Sequence, residues 1–366
     1  MNSKLLLGII PVMLILTFAT IPVLASPAVQ PTGKPFQLTT GPHYDRNPSF
    51  FQASDGSYWL FFTRGRDPRG VRGLDGYEPD LDYYDIYYKI ARSIPQLQKA
   101  PESMMPRSPP DNAQRDIAAL QTNDGKIWVF ASTGLGPGTQ RSIYYYIYEG
   151  GVWSGPLAIP NTDYAAHIDA LQSNGKIWVF FDVGYSLYVL YYNGGWSIPV
   201  LVASEATLGK AIVDSGTFYV VWVSFGETRG YGTGVYLSNS ANGIDWASTG
   251  TPIASWPDSS LTNWDPVLIK DKDTFRLFWA PSNSEQFIAT STSTNPTNPS
   301  SWSAPVRVTT ASYGGIGWWD FWPEPYKKGR ESEGSLCMFY TSERNSDGTA
   351  MIDGNIWVYM AVPLTD

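Results

Sequence analysis

One hairpin recurs along this chain. Residues 45–62, DRNPSFFQASDGSYWLFF, run from a polar start through a short apolar stretch and an Asp-Gly pair into a second apolar stretch. Residues 115–131, RDIAALQTNDGKIWVFA, and 167–181, HIDALQSNGKIWVFF, repeat the pattern. Asp-Gly and Asn-Gly are strong two-residue hairpin signals, because such residues tolerate positive φ. They stand at Asp55-Gly56, Asp124-Gly125 and Asn174-Gly175, with Ser215-Gly216 as a weaker fourth. Residues 270–273 take that place in DPVLIKDKDTFRLFW, and PEPYKKGRESEGSLCMFY carries a longer turn. A third apolar strand follows each hairpin: DIYYK, SIYYY, SLYVLYY, GVYLS, QFIAT and NIWVYM. A fourth is marked three times by Trp-Ser-x-Pro, at Trp153, Trp196 and Trp302.

The repeating unit is therefore four antiparallel strands, and six first strands begin near residues 45, 115, 166, 208, 264 and 320. Apolar residues at helical spacing are missing from them. Four-strand repeats of this length predict an all-β, six-bladed β-propeller of four-stranded antiparallel blades. Five blades are the alternative if the fourth copy, the weakest, is misread. The last copy ends after its third strand, and PFQLTT at residues 35–40 supplies the missing one. A ring closed by the N-terminal strand leaves no exposed sheet edge there. Aromatic residues make up 15% of the chain and charged residues 16%, which excludes a disordered chain.

The N-terminus has one Lys before a long apolar run that ends Val23-Leu24-Ala25-Ser26. Small residues at Val23 and Ala25 have the spacing that signal peptidase accepts. The expected organisation is a signal peptide at 1–25, a linker at 26–34 and one propeller domain at 35–366. The expected location is outside the cell or on its surface, with no membrane span in the mature chain. An uncleaved N-terminal anchor is the alternative, since residues 5–25 are long enough to cross a bilayer. The net charge of −8 argues against nucleic acid or an anionic membrane as partner. A monomer is expected. Cys337 is the only cysteine, so no internal disulfide can form, and its apolar setting in SLCMFY makes it a core residue.

In a propeller the first strands line the central channel, and their starts converge at one face, the usual geometry of a ligand pocket. Those starts are Asp45-Arg46-Asn47, Gln114-Arg115-Asp116, His167 with Asp169, Gly209-Lys210, Asn263-Trp264-Asp265, and Trp319-Asp320-Phe321-Trp322 with Glu324. Carboxylates from several blades in one cleft repel each other, which raises some of their pKa values. Trp264, Trp318, Trp319 and Trp322 lie in polar contexts and suit the C–H face of a sugar. Trp59, Trp128 and Trp178 recur inside second strands and are assigned to the core. The long segment 63–85 is placed to cover the channel mouth, so Asp67, Arg69, Asp75 and Asp80 are additional candidates. Calcium on Asp80, Asp82 and Asp85 is conceivable, but the spacing is not that of an EF-hand. Two histidines, His43 and His167, are too few for a histidine-based zinc site. No metal or cofactor is expected.

RNPSFFQASDGSYWLFFTRGR resembles the first blade of sialidases, where Arg-Ile-Pro opens the strand; Arg46-Asn47-Pro48 matches it except at the middle residue. SNSANGIDW at 238–246 resembles their Ser-x-Asp-x-Gly-x-x-Trp turn, with Asn242 for the Asp and a shortened spacing. The resemblance implies that Arg46 grips a substrate carboxylate and that Asp67 or Asp75 stands for the family's acid/base. No motif marks the family's other two Arg residues or its Tyr–Glu pair. A second resemblance is to the five-bladed family-43-type glycosidases. Asp265-Pro266 resembles the start of their first blade, where Asn47 replaces the Asp, and WPEPYKKG at 322–329 is similar to the element carrying their general acid.

Two functions are consistent with this set. One is an exported glycosidase, sialidase-like and acting on chain ends, with Glu324 as acid and Asp116, Asp265 or Asp320 as ionised partner. Arg46, Asp45, Asn47, Arg115, His167, Trp264, Trp319 and Trp322 then bind the substrate. The other is a non-catalytic propeller that binds glycan or protein in a cell envelope. N-terminal sequencing of the exported protein checks the leader: the mature chain is expected to begin at Ser26, and an uncleaved Met1 start would show an anchor.

Overall fold

The computed structural model describes residues 35–40, 43–65, 84–107, 113–134, 141–282, 286–309, 318–327, 336–345 and 351–362. The leader, the linker and most of the segment 63–85, with Asp67, Arg69, Asp75, Asp80 and Asp82, lie outside them. Of Arg115, Trp318 and Trp319 only the backbone is described. Among the described residues, no helix is long and apolar enough to cross a membrane.

The described strands form six four-stranded antiparallel sheets, so the six-blade count holds and the fourth copy is a complete blade. The inner strands are Asp45–Gln52, Ala113–Gln121, Ala166–Ser173, Ala206–Asp214, Thr262–Asp271 and Trp318–Lys327. In the sixth blade, Trp318–Lys327, Leu336–Asn345 and Met351–Val362 are completed by Phe36–Gln37, which pairs with Val358 and Trp357. Trp-Ser-x-Pro lies within the fourth strand of blade 2, but in blades 3 and 5 it ends just before Val200–Ser204 and Val306–Arg307.

The hairpin turns divide into two kinds. Asn174-Gly175 and Ser215-Gly216 have positive φ at both residues, as a two-residue turn requires. At Asp55-Gly56 and Asp124-Gly125 only the glycine is left-handed. There the loop is longer, closed by Ala53 N–H to Ser57 O at 2.7 Å and Thr122 N–H to Lys126 O at 2.8 Å. Asp55 braces its turn by accepting from the Ser57 amide at 2.8 Å.

The second strands read as continuous apolar runs because both of their faces are buried. In Lys176–Val183, Ile177, Val179 and Phe181 pack toward blade 2, while Trp178 and Phe180 pack toward blade 4. Each of the six apolar clusters lies between two neighbouring blades. Trp59, Trp128 and Trp178 belong to them, and Cys337, in no disulfide, is fully buried at the junction of blades 6 and 1.

Leu38, just after the closing strand, is fully buried among Phe50, Phe62, Ile356 and Val358. Leu38→Ala is expected to cost about 2–5 kcal/mol, read as a lower urea midpoint, whereas Ile244→Ala on the surface should change stability by less than about 0.5 kcal/mol.

Candidate functional site

Every inner strand carries one residue more than its partner near its start. The register slips between Arg46 and Ser49, Arg115 and Ile117, Ala166 and Asp169, Thr207 and Lys210, Trp264 and Val267, and Phe321 and Glu324. In five of the six bulges the first extra residue is left-handed: Asn47, His167, Leu208, Asp265 and Trp322 have φ between 48° and 58°. Asn, Asp and His tolerate this region better than other non-glycine residues. Leu208 and Trp322 do so at a cost of about 1–3 kcal/mol each. Pro48, Pro266 and Pro323 follow three of these residues, and a bulge accepts proline because no ladder N–H is needed there. The Asn-Pro and Asp-Pro pairs behind the family resemblances are thus the sequence mark of the bulge.

The bulges converge on one narrow recess, lined from all six blades. Asn47, Asp116, His167, Leu208, Asp265 and Trp322 ring it, and Lys210 and Glu324 lie within it. Asp116 is tied to three protein donors: Asn47 Nδ2 at 3.3 Å, Ser132 Oγ at 3.3 Å and the His167 amide at 3.1 Å. Asp265 accepts from the Trp322 amide at 3.4 Å. Asp169 takes the Ala211 amide at 2.7 Å and Lys210 Nζ at 3.4 Å. The Arg46 guanidinium lies 4.4 Å from the Trp322 ring centre and 4.8 Å from that of Tyr84, a stacked cation–π arrangement.

These groups titrate unusually. Burial pushes the Glu324 carboxyl up to about 7; Lys210 opposes the shift and Asp169 adds to it. Burial likewise takes Asp265 to about 6, against the Trp322 amide and the charges of His167, Lys210 and Arg46. For His167, burial alone lowers the pKa. The Asp182 carboxylate, 2.9 Å from Nδ1, outweighs it and raises the imidazole to about 9. Its side chain still leaves 38% of its surface open, facing the recess. Thr207 donates to Asp182 at 2.9 Å and completes this pair.

Two candidates lie elsewhere. Asp45 is 1% exposed and bonds bidentately to Arg64 at 2.5 and 2.7 Å, away from the recess. Arg64 also meets Glu102 at 2.5 Å, and burial of its charge is outweighed by the two carboxylates, which hold it protonated. Lys89 joins Glu102 at 3.6 Å and donates to Leu38 O at 2.8 Å, so this chain of charges braces the closing segment. Asp320 is buried and accepts from Ser342 Oγ at 2.6 Å, with burial raising it to about 6. It lines neither the recess nor its mouth. Trp264 lines the mouth, with Nε1 bonded to Thr262 Oγ1 at 2.8 Å. Asp85, considered for calcium, is held by Arg107 at 2.8 Å. No group of three or more His, Cys, Asp or Glu among the described residues is arranged to hold a metal. Asp182 and Thr207 were not marked by the sequence pattern; the signal for Asp182 is a charge ending the apolar strand IWVFFD.

The 238–246 turn is closed by its own side chains. Asn242 Oδ1 accepts the amides of Ile244 at 2.8 Å and Asp245 at 2.9 Å, and Trp246 Nε1 donates to Gly243 O at 3.1 Å. Blade 5 repeats part of it: Ser293 Oγ accepts the Asn295 amide at 2.9 Å, as Ser240 Oγ accepts that of Asn242 at 3.3 Å, and Trp302 Nε1 donates to Pro296 O at 3.1 Å.

No family model and no curated protein matches the sequence. In structure the chain is similar to a protein of unknown function from Dyadobacter fermentans, with TM-score 0.62 and 13% identity, covering 92% of this chain and 100% of the other. It is similar to Trypanosoma rangeli sialidase holding 2,3-difluorosialic acid as a covalent intermediate, with TM-score 0.63 and 9% identity, covering 91% and 60%. This chain therefore spans 60% of the length of the sialidase. A weaker likeness, TM-score 0.48 at 13% identity over 79% and 97%, links it to an α-L-arabinofuranosidase from Lactobacillus brevis. At these identities the likeness is one of fold alone, that of a β-propeller, here with six blades.

Stability should carry the mark of two recess groups. Folded Glu324 keeps its proton where the unfolded chain has lost it, so its contribution makes stability fall as pH rises from 4.5 to about 7. His167 contributes stability that is present below 6.5 and lost as pH rises through about 9. Urea unfolding at a series of pH values checks both: Glu324→Gln is expected to shrink the first fall and His167→Gln the second.

Proposed function

We propose that this protein is exported and hydrolyses glycosidic bonds in extracellular glycans at the central recess. The observation that carries the reading is the pairing of Glu324 and Asp265 in one recess, each raised by burial but to different degrees. Hydrolysis needs a protonated acid at the leaving oxygen and an ionised carboxylate as base or nucleophile. Glu324, the higher of the two, is the acid, and Asp265 is the partner. Asp116, bound on three sides, holds the bulges of blades 1 and 3 in place, while Asp320 is turned away from the recess. Trp322 and Trp264 give flat faces for sugar rings, and Arg46 is stacked against Trp322, which lines the recess. The sialidase likeness in fold supports a glycan as ligand, and the leader supports export.

A non-catalytic glycan-binding propeller is the second reading. The observation in its favour is that Asp116 and Asp169 spend their oxygens on protein donors.

A panel of chromogenic glycosides separates the two. Wild type is expected to cleave at least one, with kcat/KM highest between about 6 and 7, where Asp265 is ionised and Glu324 protonated. Glu324→Gln and Asp265→Asn should each lower kcat/KM by about a hundredfold or more. Activity that survives both substitutions removes this assignment, and glycan retention without turnover supports the binding module.

A further inference from the structure

The recess opens into a wider hollow over blades 3 to 6. With its opening to solvent the hollow measures about 1260 Å³, and it shares His167, Leu208, Asp265 and Trp322 with the recess. A ligand in one is continuous with the other.

One side of the hollow is an aromatic shelf. Phe225 ends the strand Thr217–Gly226, and three rings surround it: Tyr185 with centroids 4.8 Å apart, Tyr231 at 4.8 Å and Trp264 at 6.0 Å. These rings come from hairpins of blades 3 and 4 and from the inner strand of blade 5. Tyr185, which lines the hollow with Phe225 and Trp264, is 54% exposed; Tyr164, also on the hollow, is 61% exposed; and Tyr231, which extends the shelf from behind Phe225, is 52% exposed. None of the three Tyr belongs to an apolar cluster between blades, so blade packing does not explain them.

The shelf is held in place. Glu205 accepts the amides of Thr228 at 3.0 Å and Arg229 at 3.2 Å, which fixes the turn between Phe225 and Tyr231. Arg229 stacks 5.1 Å from Trp222 and 5.3 Å from Tyr236. Trp264 is oriented by its bond to Thr262. Rings fixed in this way lose little entropy when a ligand settles on them.

The charges around the hollow are also telling. Asp182 and Asp265 line it. Of the nearby cations, His167 is matched by Asp182 and Lys210 by Asp169, while Arg46 is stacked on Trp322 and Tyr84. His167 and Asp182, both on the hollow, balance each other, so the lining charge that an acidic sugar meets is the Asp265 carboxylate.

We propose that the shelf of Tyr185, Phe225, Tyr231 and Trp264 is a subsite for the sugars that follow the one in the recess, and that the ligand is a chain of uncharged sugar units. A tyrosine offers a sugar ring both a flat apolar face and a hydroxyl, and several such rings in line suit successive units. The expectation of a sialidase-like enzyme acting on chain ends changes accordingly, to one taking an extended neutral oligo- or polysaccharide. This rests on the reading of the recess as a glycan site.

The test uses full-length Glu324→Gln protein, to stop turnover, and calorimetric titration with cello-, xylo-, manno- and arabino-oligosaccharides from dimers upward, beside sialyl-lactose. Affinity for at least one neutral series is expected to rise with length, and Tyr185→Ala/Tyr231→Ala should remove about tenfold from the longest members while dimers bind as before. Tyr185→Phe/Tyr231→Phe should keep most of the gain, and an unchanged thermal midpoint shows that the exposed positions leave folding intact. Length-dependent binding that survives the double alanine change overturns the shelf but leaves the recess reading standing. Binding of sialyl-lactose alone overturns the neutral chain. Absence of binding to every probe overturns both the recess reading and the shelf.

Discussion

The bulge at the start of each inner strand is the constraint on which the centre of the ring depends. Side chains on a regular strand alternate between two faces, and here both faces are apolar seams between blades. A carboxylate kept in that alternation lies among Trp, Phe and Val. One inserted residue breaks the parity and turns a polar side chain toward the axis, after which the strand resumes its packing. Asp265 and Glu324 bracket this change: the first is an extra residue of its bulge, and the second returns to the ladder opposite Phe339. Left-handed backbone at Leu208 and Trp322 is strain that the surrounding sheets impose.

Charges inside the ring are handled in two ways. At the rim of blade 1, Asp45, Arg64, Glu102 and Lys89 neutralise one another and leave nothing for a ligand. In the recess the balance is incomplete. Glu324 meets one cation, Lys210, which Asp169 already engages, so burial wins and the carboxyl stays near half-protonation at neutral pH. The same forces thus produce a brace at one place and a reactive group at the other. What separates them is how many partners the inner strands bring within reach.

The fold was legible because its signals are local. Glycine turns, paired apolar runs and the strand left over at residues 35–40 each lie within a short window, and the six inner strands begin within two residues of their expected starts. The polar starts were legible as a set, and Asn47, Asp116, His167, Asp265, Trp322 and Glu324 do meet. Asp45 and Asp320 carry the same marks but face away, because side-chain direction depends on where the register slips, a property of the paired sheet. The His167–Asp182–Thr207 group joins two blades through side chains far apart in sequence, so no window contains it. The shelf was missed for a related reason: Tyr185, Phe225 and Tyr231 look like ordinary strand aromatics until the hairpins carrying them are placed around the axis.

The closing strand has a consequence for how the molecule is made. The Ile356 amide donates to Thr39 Oγ1 across 317 residues, and Phe36 pairs with a strand near the other end of the chain. Each of the other blades is built from contiguous chain, so five of them can form as the polypeptide emerges. The sixth must wait for its last strand and then recruit the first, the most non-local and therefore the slowest contact in the ring. Until then the blade 6 edge stays open to other chains. Once sealed, the ring cannot fray from either terminus without parting that seam, so Phe36–Gln37 acts as a latch on the lifetime of the folded protein.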